Sequence, residues 1–263
     1  MNEIENLKES ILKEYPRLNK ESKFKFSCHK GISCFNECCS DVNIFLTPYD
    51  VLRLKNRLGI SSEELLDKYT FLPIEENQNH PVVMLRMKND EKKSCPFVGM
   101  LGCTVYEDRP WSCRMFPLGV ASPKENGTDD SGEFYFILQE DVCKGYFEEN
   151  TYTVGEWIKD QKVEEYDEMG KLFKEISLHD FFSSGKKLSP PQLEMFHTVC
   201  YNIDKFREFV FNSTFLKRFN VDDERITKMI DSDEELLKFG FEWLKYCLFG
   251  EKTLQLKNNS KES

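Results

Sequence analysis

Apolar residues recur at helical spacing in the opening segment of the chain, where Ile4, Leu7, Ile11 and Leu12 are separated by polar and charged residues. Side chains three and four positions apart lie on one face of a helix, so this pattern predicts an amphipathic helix. Pro16 lacks the backbone N–H that a helix interior needs, and we expect it to end this helix.

Two further helices are predicted from their capping residues. Thr47 followed by Pro48 is typical of a helix start, and the apolar positions that follow predict a helix that Gly59 ends. Ser61, with Glu64 three residues later, has the capping-box pattern and predicts a second, shorter helix.

Strands are predicted in two segments that are rich in β-forming residues, Val82–Met87 and Phe134–Leu138. The polar stretch Lys88–Lys93 allows the chain to turn back after the first of them. Between Ala121 and Glu133 the composition shifts to Ser, Pro, Asn, Gly and Asp, which is typical of an exposed loop.

From Thr153 onward the pattern of apolar positions is helical. Capping boxes at Thr153 and at Ser232 each predict a helix start, and Ser189 with Pro190 predicts the start of a long helix between them. This long helix is expected to carry four residues on one face: Phe196, Val199, Cys200 and Ile203.

These elements predict an α+β fold, mainly helical, with a small antiparallel sheet and cysteine-rich metal-binding loops. We expect a cysteine-cluster metal-binding domain over residues 1–150, a helical C-terminal half over 151–256 and a disordered tail over 257–263. With 263 residues, 40% of them hydrophobic, the chain is long enough to bury an ordinary core.

The charge balance bears on the partners of the protein. The chain has 46 acidic and 36 basic residues and a net charge of −10, which disfavours binding to a nucleic-acid backbone. No apolar run approaches the roughly 20 residues of a membrane span, and the opening segment is too charged for a signal peptide. We therefore expect no nucleic acid and no membrane as partner, and a cytoplasmic protein in which thiols stay reduced unless a metal holds them.

Eight of the ten cysteines fall within one stretch of the chain and are enough for two four-thiolate metal sites. The candidate metal ligands are Cys28, Cys34, Cys38, Cys39, Cys95, Cys103, Cys113 and Cys143. His29 could replace a thiolate but is more simply interpreted as exposed. Cys200 and Cys247 lie on apolar faces of helical patterns, and we expect them to be small buried hydrophobic residues.

Adjacent cysteines bear on how many metals the stretch holds. Side chains of neighbouring residues in extended backbone point to opposite sides, so Cys38 and Cys39 are expected to serve two metals, or one metal and a neighbour. Arg109 and Arg114 are candidate cofactor-binding residues, because a four-thiolate centre carries a negative charge that their guanidinium groups can offset. Pairing of these arginines with nearby carboxylates is the alternative.

The cysteine stretch contains four motifs that together carry a resemblance: Cys34-Phe-Asn-Glu-Cys38-Cys39, Cys95-Pro-Phe, Gly102-Cys103-Thr-Val-Tyr106-Glu-Asp-Arg109-Pro110 and Cys113-Arg114-Met-Phe-Pro117. In these motifs the chain resembles the YkgJ-type cysteine-cluster family, described as zinc- or iron-chelating proteins. The resemblance covers roughly residues 28–145 and implies a metal centre held by these cysteines. A related module in flagellin lysine methylases is thought to hold an iron–sulfur cluster beside an S-adenosylmethionine-dependent activity.

The spacing of the cysteines does not choose between metals, because neither the paired Cys-x2-Cys of structural zinc sites nor the ferredoxin run occurs. Glycine-bearing loops and the relation to the methylases favour a [4Fe–4S] cluster, with Zn²⁺ as the alternative. The expected role is redox, structural or metal-handling. The expected partners are a metal ion or an iron–sulfur cluster and, in addition, a protein. The alternative function is an S-adenosylmethionine-dependent protein lysine methyltransferase, although the C-terminal half shows no cofactor motif.

Overall fold

The computed structural model describes residues 15–73, 78–121, 132–139 and 141–257. Three of the sequence-based predictions concern residues that lie mainly outside these ranges. The opening helix, residues 122–131 of the predicted loop and residues 258–263 of the predicted tail lie outside the described residues.

Helices are the main secondary structure, and the strands are short. The α-helices are α1 (Pro48–Leu58), α2 (Ser62–Tyr69), α3 (Trp111–Met115), α4 (Val154–Asp160), α5 (Val163–Ser177), α6 (Asp180–Ser183), α7 (Pro190–Tyr201), α8 (Ile203–Asn212), α9 (Phe215–Arg218), α10 (Asp223–Asp231) and α11 (Asp233–Leu244). The strands are β1 (Lys23–Lys25), β2 (Phe45–Leu46), β3 (Thr70–Phe71), β4 (Val83–Leu85), β5 (Val98–Gly99), β6 (Gly102–Cys103), β7 (Leu118–Ala121), β8 (Phe134–Ile137) and β9 (Thr151–Thr153). The paired strands are antiparallel, so the predicted α+β, mainly helical fold class is confirmed.

The predicted capping residues begin helices where the sequence places them. The Thr47 side chain accepts a hydrogen bond from the Asp50 N–H, and the Asp50 carboxylate accepts one from the Thr47 N–H. Gly59 ends α1 with a φ of 65°, a left-handed conformation that glycine adopts without strain. Thr153 and Glu156 form the same reciprocal box at the start of α4.

The long helix predicted from Ser189 is shorter than expected, and the placement of Ile203 on it is wrong. Helix α7 ends at Tyr201, and Asn202 has a non-helical backbone with φ −109° and ψ 72°. The Asn202 side chain accepts a hydrogen bond from the N–H of Lys205, which caps the next helix. Ile203 therefore opens α8, although the apolar pattern continues without a visible break.

Contacts divide the chain into two compact units, each built from two separate segments. The cysteine unit comprises residues 1–44 and 87–167, and the helical unit comprises residues 45–86 and 168–263. The domain boundaries predicted at residues 150 and 256 stay predictions.

The core of the cysteine unit is built on two two-stranded sheets and α4. Strand β1 pairs with β9, so that Phe24 lies opposite Tyr152, and β7 pairs with β8. Phe26 packs edge-to-face on Trp157 with ring centroids 5.4 Å apart. The buried cluster consists of Phe24, Phe26, Met115, Leu118, Cys143, Val154, Trp157, Ile158 and Val163.

The helical unit combines a three-stranded sheet, in the order β2-β4-β3, with most of the helices. Its fully buried large side chains include Leu54, Leu65, Phe196, Phe206, Leu236, Leu237, Phe239 and Leu244. Cys200 is 2% exposed, which confirms its predicted burial, whereas Cys247 is only partly buried. In the part of the chain that the structure describes, no helix is long and apolar enough to cross a membrane.

Candidate metal centre

The segment that leads into Cys28 lies beside the segment that follows Cys143. The N–H of Phe26 donates to the carbonyl of Asn150 at 2.9 Å, and the N–H of Ser27 donates to the carbonyl of Gly145 at 3.1 Å. A Cβ atom at Gly145 would lie 2.7 Å from both the Phe26 ring and the Ser27 carbonyl oxygen, so only glycine permits this close approach. The pairing brings together two cysteine loops that are far apart in sequence.

This approach gathers a first thiol group, defined here as Cys28, Cys34, Cys38 and Cys143. Cys28 interacts electrostatically with the other three members. Cys143 hydrogen-bonds to Cys34, and the N–H of Lys144 donates to the Cys34 sulfur at 3.1 Å. Four thiols from two separate loops therefore lie near enough to interact electrostatically.

The chain around Cys39 runs alongside the chain around Cys95. The N–H of Cys95 donates to the carbonyl of Cys39 at 2.7 Å. Next to this bond, Ser40 and Ser94 form an antiparallel bridge. The backbone therefore holds these two cysteines at neighbouring positions.

A second thiol group, defined here as Cys39, Cys95, Cys103 and Cys113, forms around this pairing. Cys39 interacts electrostatically with Cys95 and Cys113, and Cys95 interacts with Cys103. The hairpin of β5 and β6 places Cys103 opposite Val98 and so returns the chain towards Cys95. These interactions connect four thiols around Cys28 and four around Cys39, and Cys39 also interacts with Cys38 of the first group. That each group holds a metal stays a prediction.

The adjacent pair Cys38 and Cys39 belongs to different groups, but not for the predicted reason. Both residues lie in a 3-10 turn, Glu37–Cys39, and not in extended backbone. Their thiols hydrogen-bond to each other, while Cys38 interacts with the first thiol group and Cys39 with the second. The 3-10 turn that carries Cys38 and Cys39 therefore links the first thiol group to the second.

Burial and neighbouring thiols make ionisation costly in the absence of a cation. Although Cys28 is at the surface, partial burial of its sulfur, followed by repulsion from Cys38 and Cys34, raises its pKa to about 11. The hydrogen bond that the Cys39 thiol donates to Cys38, together with burial, raises the pKa of Cys39 far above its usual range. The thiol pKa values of Cys95 and Cys143 are also raised, chiefly by burial.

Backbone N–H groups act in the opposite direction and lower the pKa of several thiols. Phe97 and Val98 supply such hydrogen bonds at Cys95, Val105 does so at Cys103, and Gly145 does so at Cys143. In each case the donor lies two or three residues after the cysteine. Amide donors of this kind stabilise metal-bound thiolate, because they hydrogen-bond the charged sulfur.

Arg114 is buried and anchors the segment that carries Cys103 and Cys113. It is 2% exposed and donates to the carbonyls of Glu107, Arg109 and Gln161 and to the Tyr166 hydroxyl. Its guanidinium carbon also lies 4.4 Å from the centre of the Tyr166 ring. These hydrogen bonds go to oxygen atoms, and donation to metal-bound sulfur stays a prediction for this residue.

Arg109 has a different environment. Its guanidinium stacks over the Tyr106 ring at 3.8 Å and donates to the Tyr106 carbonyl and to the Gln161 side chain. The charge of Arg109 also interacts with Cys103 and Cys113. Arg109 is therefore one cation near the second thiol group, and Lys88, whose charge interacts with Cys95, is another. The cofactor-binding role of Arg109 stays a prediction.

His29 is engaged outside the thiol groups. Its Nε2 atom lies 3.1 Å from a carboxylate oxygen of Glu148, and its Nδ1 atom accepts a hydrogen bond from the Gly31 N–H. This arrangement uses both ring nitrogens, so the structure supports the interpretation of His29 as an exposed neighbour of Cys28.

The thiols are gathered but do not form a closed shell around a single ion. Within residues 15–73, 78–121, 132–139 and 141–257, no group of three or more His, Cys, Asp or Glu side chains is close enough to hold one metal ion. All ten cysteines are free thiols. In donor chemistry the two groups fit zinc or iron, since both metals are held by four thiolates in proteins.

Two groups of four thiols, with backbone donors aimed at the sulfur atoms, define this region as a thiol-rich candidate metal-binding domain. Residues 27–146 match the model of the CxxCxxCC family, described as a "Putative zinc- or iron-chelating domain". Over residues 27–146, which are less than half of the chain, the sequence is therefore similar to the YkgJ-type cysteine-cluster family, and the predicted resemblance is confirmed. No match was found among curated proteins or among solved structures.

The chain departs from the spacing that the family name spells. Five residues separate Cys28 from Cys34, and three separate Cys34 from Cys38, where the name has gaps of two. The adjacent pair at the end of the run is retained as Cys38 and Cys39.

Sequence reasoning did not identify the residues that hold the loops in place. Gly145 permits the approach of two segments, and Gln161 and Tyr166 receive the guanidinium groups of Arg109 and Arg114. The sequence gives no sign of these partners, because they lie about fifty residues from the arginines and carry no motif of their own.

Proposed function

We propose that the cysteine unit holds two [4Fe–4S] clusters, one in each thiol group. The single observation that carries this proposal is the division of eight thiols into two groups of four at the pair Cys38 and Cys39. Each group supplies the four thiolates that such a cluster takes. Zinc remains the alternative metal, because the family description covers both.

The preference for a cluster over zinc has two supports. The glycine-bearing cysteine loops leave room for a bulky group whose sulfides also take N–H donors. The resemblance to the module in flagellin lysine methylases favours an iron–sulfur cluster as well.

The protein's own groups would reduce the charge that the sulfur atoms carry. A [4Fe–4S] cluster with four cysteines has a net charge of about −2 when oxidised. The backbone N–H groups of Lys144 and Gly145 stabilise the first thiol group, and Arg109 does so at the second. When bound, such a cluster supplies one-electron redox chemistry.

The exposed cysteines of this unit favour electron transfer to a protein partner. Cys28 of the first thiol group and Cys113 of the second are both exposed. A centre with a ligand at the surface lies close to anything that docks there, which suits electron transfer to a protein partner better than a purely structural role.

The test is elemental analysis with absorption and electron paramagnetic resonance spectra of protein purified without oxygen. We expect about eight iron atoms and about eight sulfides per chain, a brown colour and an axial or rhombic signal after reduction. Colourless protein with about two zinc ions per chain would contradict the cluster and would identify zinc as the bound metal. Protein with neither metal would refute metal binding.

A matched control uses a cysteine outside both groups. Cys247→Ser changes a half-buried thiol of the helical unit, and we expect it to leave the iron content unchanged. Loss of iron in this variant equal to that in Cys95→Ser would mean that iron binding depends on general folding and not on the proposed ligands.

A further inference from the structure

Two cysteines of the first thiol group are joined by a backbone contact. The N–H of Lys144 donates to the sulfur of Cys34 at 3.1 Å. By standard peptide geometry the Lys144 nitrogen lies about 2.4 Å from the Cα atom of Cys143, so the Cys34 sulfur lies at most about 5.5 Å from that Cα atom. The Cys34 and Cys143 thiols also hydrogen-bond to each other.

This placement meets the main requirement for a disulfide bond. Two cysteines can be bridged without backbone movement only where their Cα atoms are close and their side chains face each other. The Cys34 sulfur lies 3.1 Å from the backbone nitrogen that follows Cys143, and the two thiols interact. Their loops are also fixed, because the close approach at Gly145 ties the Cys143 loop to the strand that precedes Cys28.

The other thiol pair in hydrogen-bond contact is less suited to oxidation. Cys38 and Cys39 are adjacent, and a bond between neighbouring residues closes a small ring that distorts the planar peptide between them. Both residues also lie in a 3-10 turn, which such a ring would break. Of these two pairs, Cys34 and Cys143 can be bridged without closing a strained ring of adjacent residues.

The surroundings of the two thiols also give them different roles. The Cys34 sulfur accepts a hydrogen bond from the Lys144 N–H, which holds it beside the Cys143 loop. Cys34 is partly exposed, whereas Cys143 is 8% exposed. An oxidant from solvent therefore meets Cys34 first, and Cys143 is placed to react second.

We propose that a hydroperoxide converts Cys34 and Cys143 into a reversible disulfide. The consequence of this oxidation rests on the proposed function: the disulfide removes two ligands from the first thiol group, and the metal of that group is released. Formation of the bond itself requires no metal, so it can be tested independently.

The chemistry balances without a further reactant. The Cys34 thiolate attacks one oxygen of hydrogen peroxide, the O–O bond breaks, and the leaving hydroxide takes a proton to become water. The sulfenic acid formed on Cys34 is then attacked by the Cys143 sulfur, the S–O bond breaks, and a second water leaves with the thiol proton. Two electrons pass from sulfur to peroxide oxygen, and a dithiol such as dithiothreitol reverses the reaction.

The experiment treats the full chain, reduced and freed of metal, with one equivalent of hydrogen peroxide. Remaining thiols are blocked by alkylation, and the disulfides are mapped by tryptic digestion and mass spectrometry. We expect a cross-link between the peptide that begins at Gly31 and the peptide that contains Cys143, in more than half of the chains, and its loss on reduction. A cross-link yield below one chain in ten at this pair would overturn the proposal.

Variants assign the bond, because Cys34, Cys38 and Cys39 fall on one tryptic peptide. Cys34→Ser is expected to lose the cross-link, whereas Cys38→Ser and Cys39→Ser keep it. A cross-link that persists in Cys34→Ser would contradict the assignment, as would one whose main product joins Cys38 to Cys39.

The two proposals fail in different ways. If the cross-link forms in a chain that binds neither iron nor zinc after anaerobic purification, the proposed function is wrong and the disulfide stands. If metal is bound and no cross-link forms after its removal, the disulfide is wrong and the proposed function stands. In loaded protein, a release of about half of the iron on peroxide treatment would link the two.

Discussion

In the helical unit, Phe206, Leu237 and Phe239 are almost completely removed from solvent, whereas in the cysteine unit most candidate thiols are partly or fully exposed. The helical core is held by burial of apolar surface, which contributes about 25 cal/mol for each Å² removed from water. The cysteine loops bury little such surface and depend on backbone hydrogen bonds and on groups that repel one another once ionised. The first region is expected to keep its structure without a metal, and the second is expected to gain its stability from the metal.

Removal of the metal should produce the largest difference in behaviour between the cysteine loops and the helical unit. After treatment with an iron chelator under anaerobic conditions, we expect amide hydrogen exchange in residues 28–39 and 95–105 to quicken by about a hundredfold. Exchange in α7 and α11 should change by less than about twofold. Equal quickening in both regions would mean that the helical unit depends on the metal, and no change in the loops would mean that the metal does not hold them.

A core substitution in the helical unit should have the opposite pattern. Phe206→Ala removes a ring that is 0% exposed, and we expect the free energy of unfolding of the helical unit to fall by about 3–5 kcal/mol. Amide hydrogen exchange in α8 across a urea titration measures this loss for the helical unit, and Phe209→Ala, at a ring 43% exposed, is the matched control with a smaller effect. Iron bound per folded chain should be unchanged, and a parallel loss of iron would contradict the separation.

The helix starts could be predicted from the sequence, whereas the grouping of the thiols could not, and the difference has a physical reason. Helix starts at Thr47, Thr153 and Ser232 were predictable because capping is a local interaction within four residues. The division of the thiols was not, since it depends on pairing of β1 with β9 and on the close approach at Gly145. Contacts between distant segments leave no periodic signal in the sequence.

The wrong placement of Ile203 and the unpredicted partners of Arg114 have the same origin. Ile203 was assigned to the preceding helix because its apolar spacing fits α7, and only the backbone of Asn202 shows the break. Similarly, the neighbours of Arg114 in sequence are cysteine and methionine, but its partners Gln161 and Tyr166 come from a distant segment.

The buried arginine provides a smaller test within the cysteine unit. Arg114→Met keeps most of the side-chain volume but leaves the carbonyls of Glu107, Arg109 and Gln161 without this donor. We expect the free energy of unfolding of the cysteine unit to fall by about 3 kcal/mol. Chemical denaturation monitored by hydrogen exchange in α3 measures it.

An exposed arginine of the same unit is the control for that change. Arg17→Met removes a cation that lies 4.7 Å from the centre of the Phe134 ring, and the expected loss is below about 1 kcal/mol. Equal effects of the two substitutions would show that the hydrogen bonds of Arg114 do not stabilise the loop.

The smallest expected effect is a pH dependence confined to the helical unit. Burial raises the pKa of the Asp233 carboxyl, but hydrogen bonds from Lys55 and Arg207 outweigh it and hold the pKa below the ordinary value of 3.8. A carboxyl whose pKa is lowered by folding contributes stability above its ordinary pKa, and this contribution is lost as pH falls through the lowered value. We expect a loss of about 1 kcal/mol in the free energy of unfolding between pH 6 and pH 3 from this group.

Asp233→Asn is the matched variant for the pH dependence. It should be about 1 kcal/mol less stable than the natural chain at pH 7 and should show a shallower decline towards acid. Thermal unfolding of the two proteins across that pH range gives the comparison, and parallel declines would assign the pH dependence to other carboxyls.

The central claim, that the thiols divide at Cys38 and Cys39 into two separate centres, is tested most directly by iron content in paired variants. We predict that Cys38→Ala and Cys39→Ala each retain about half of the iron, that Cys28→Ala with Cys38→Ala also retains half, and that Cys38→Ala with Cys95→Ala retains none. Complete loss of iron in either single variant, or equal losses in the two double variants, would contradict the division.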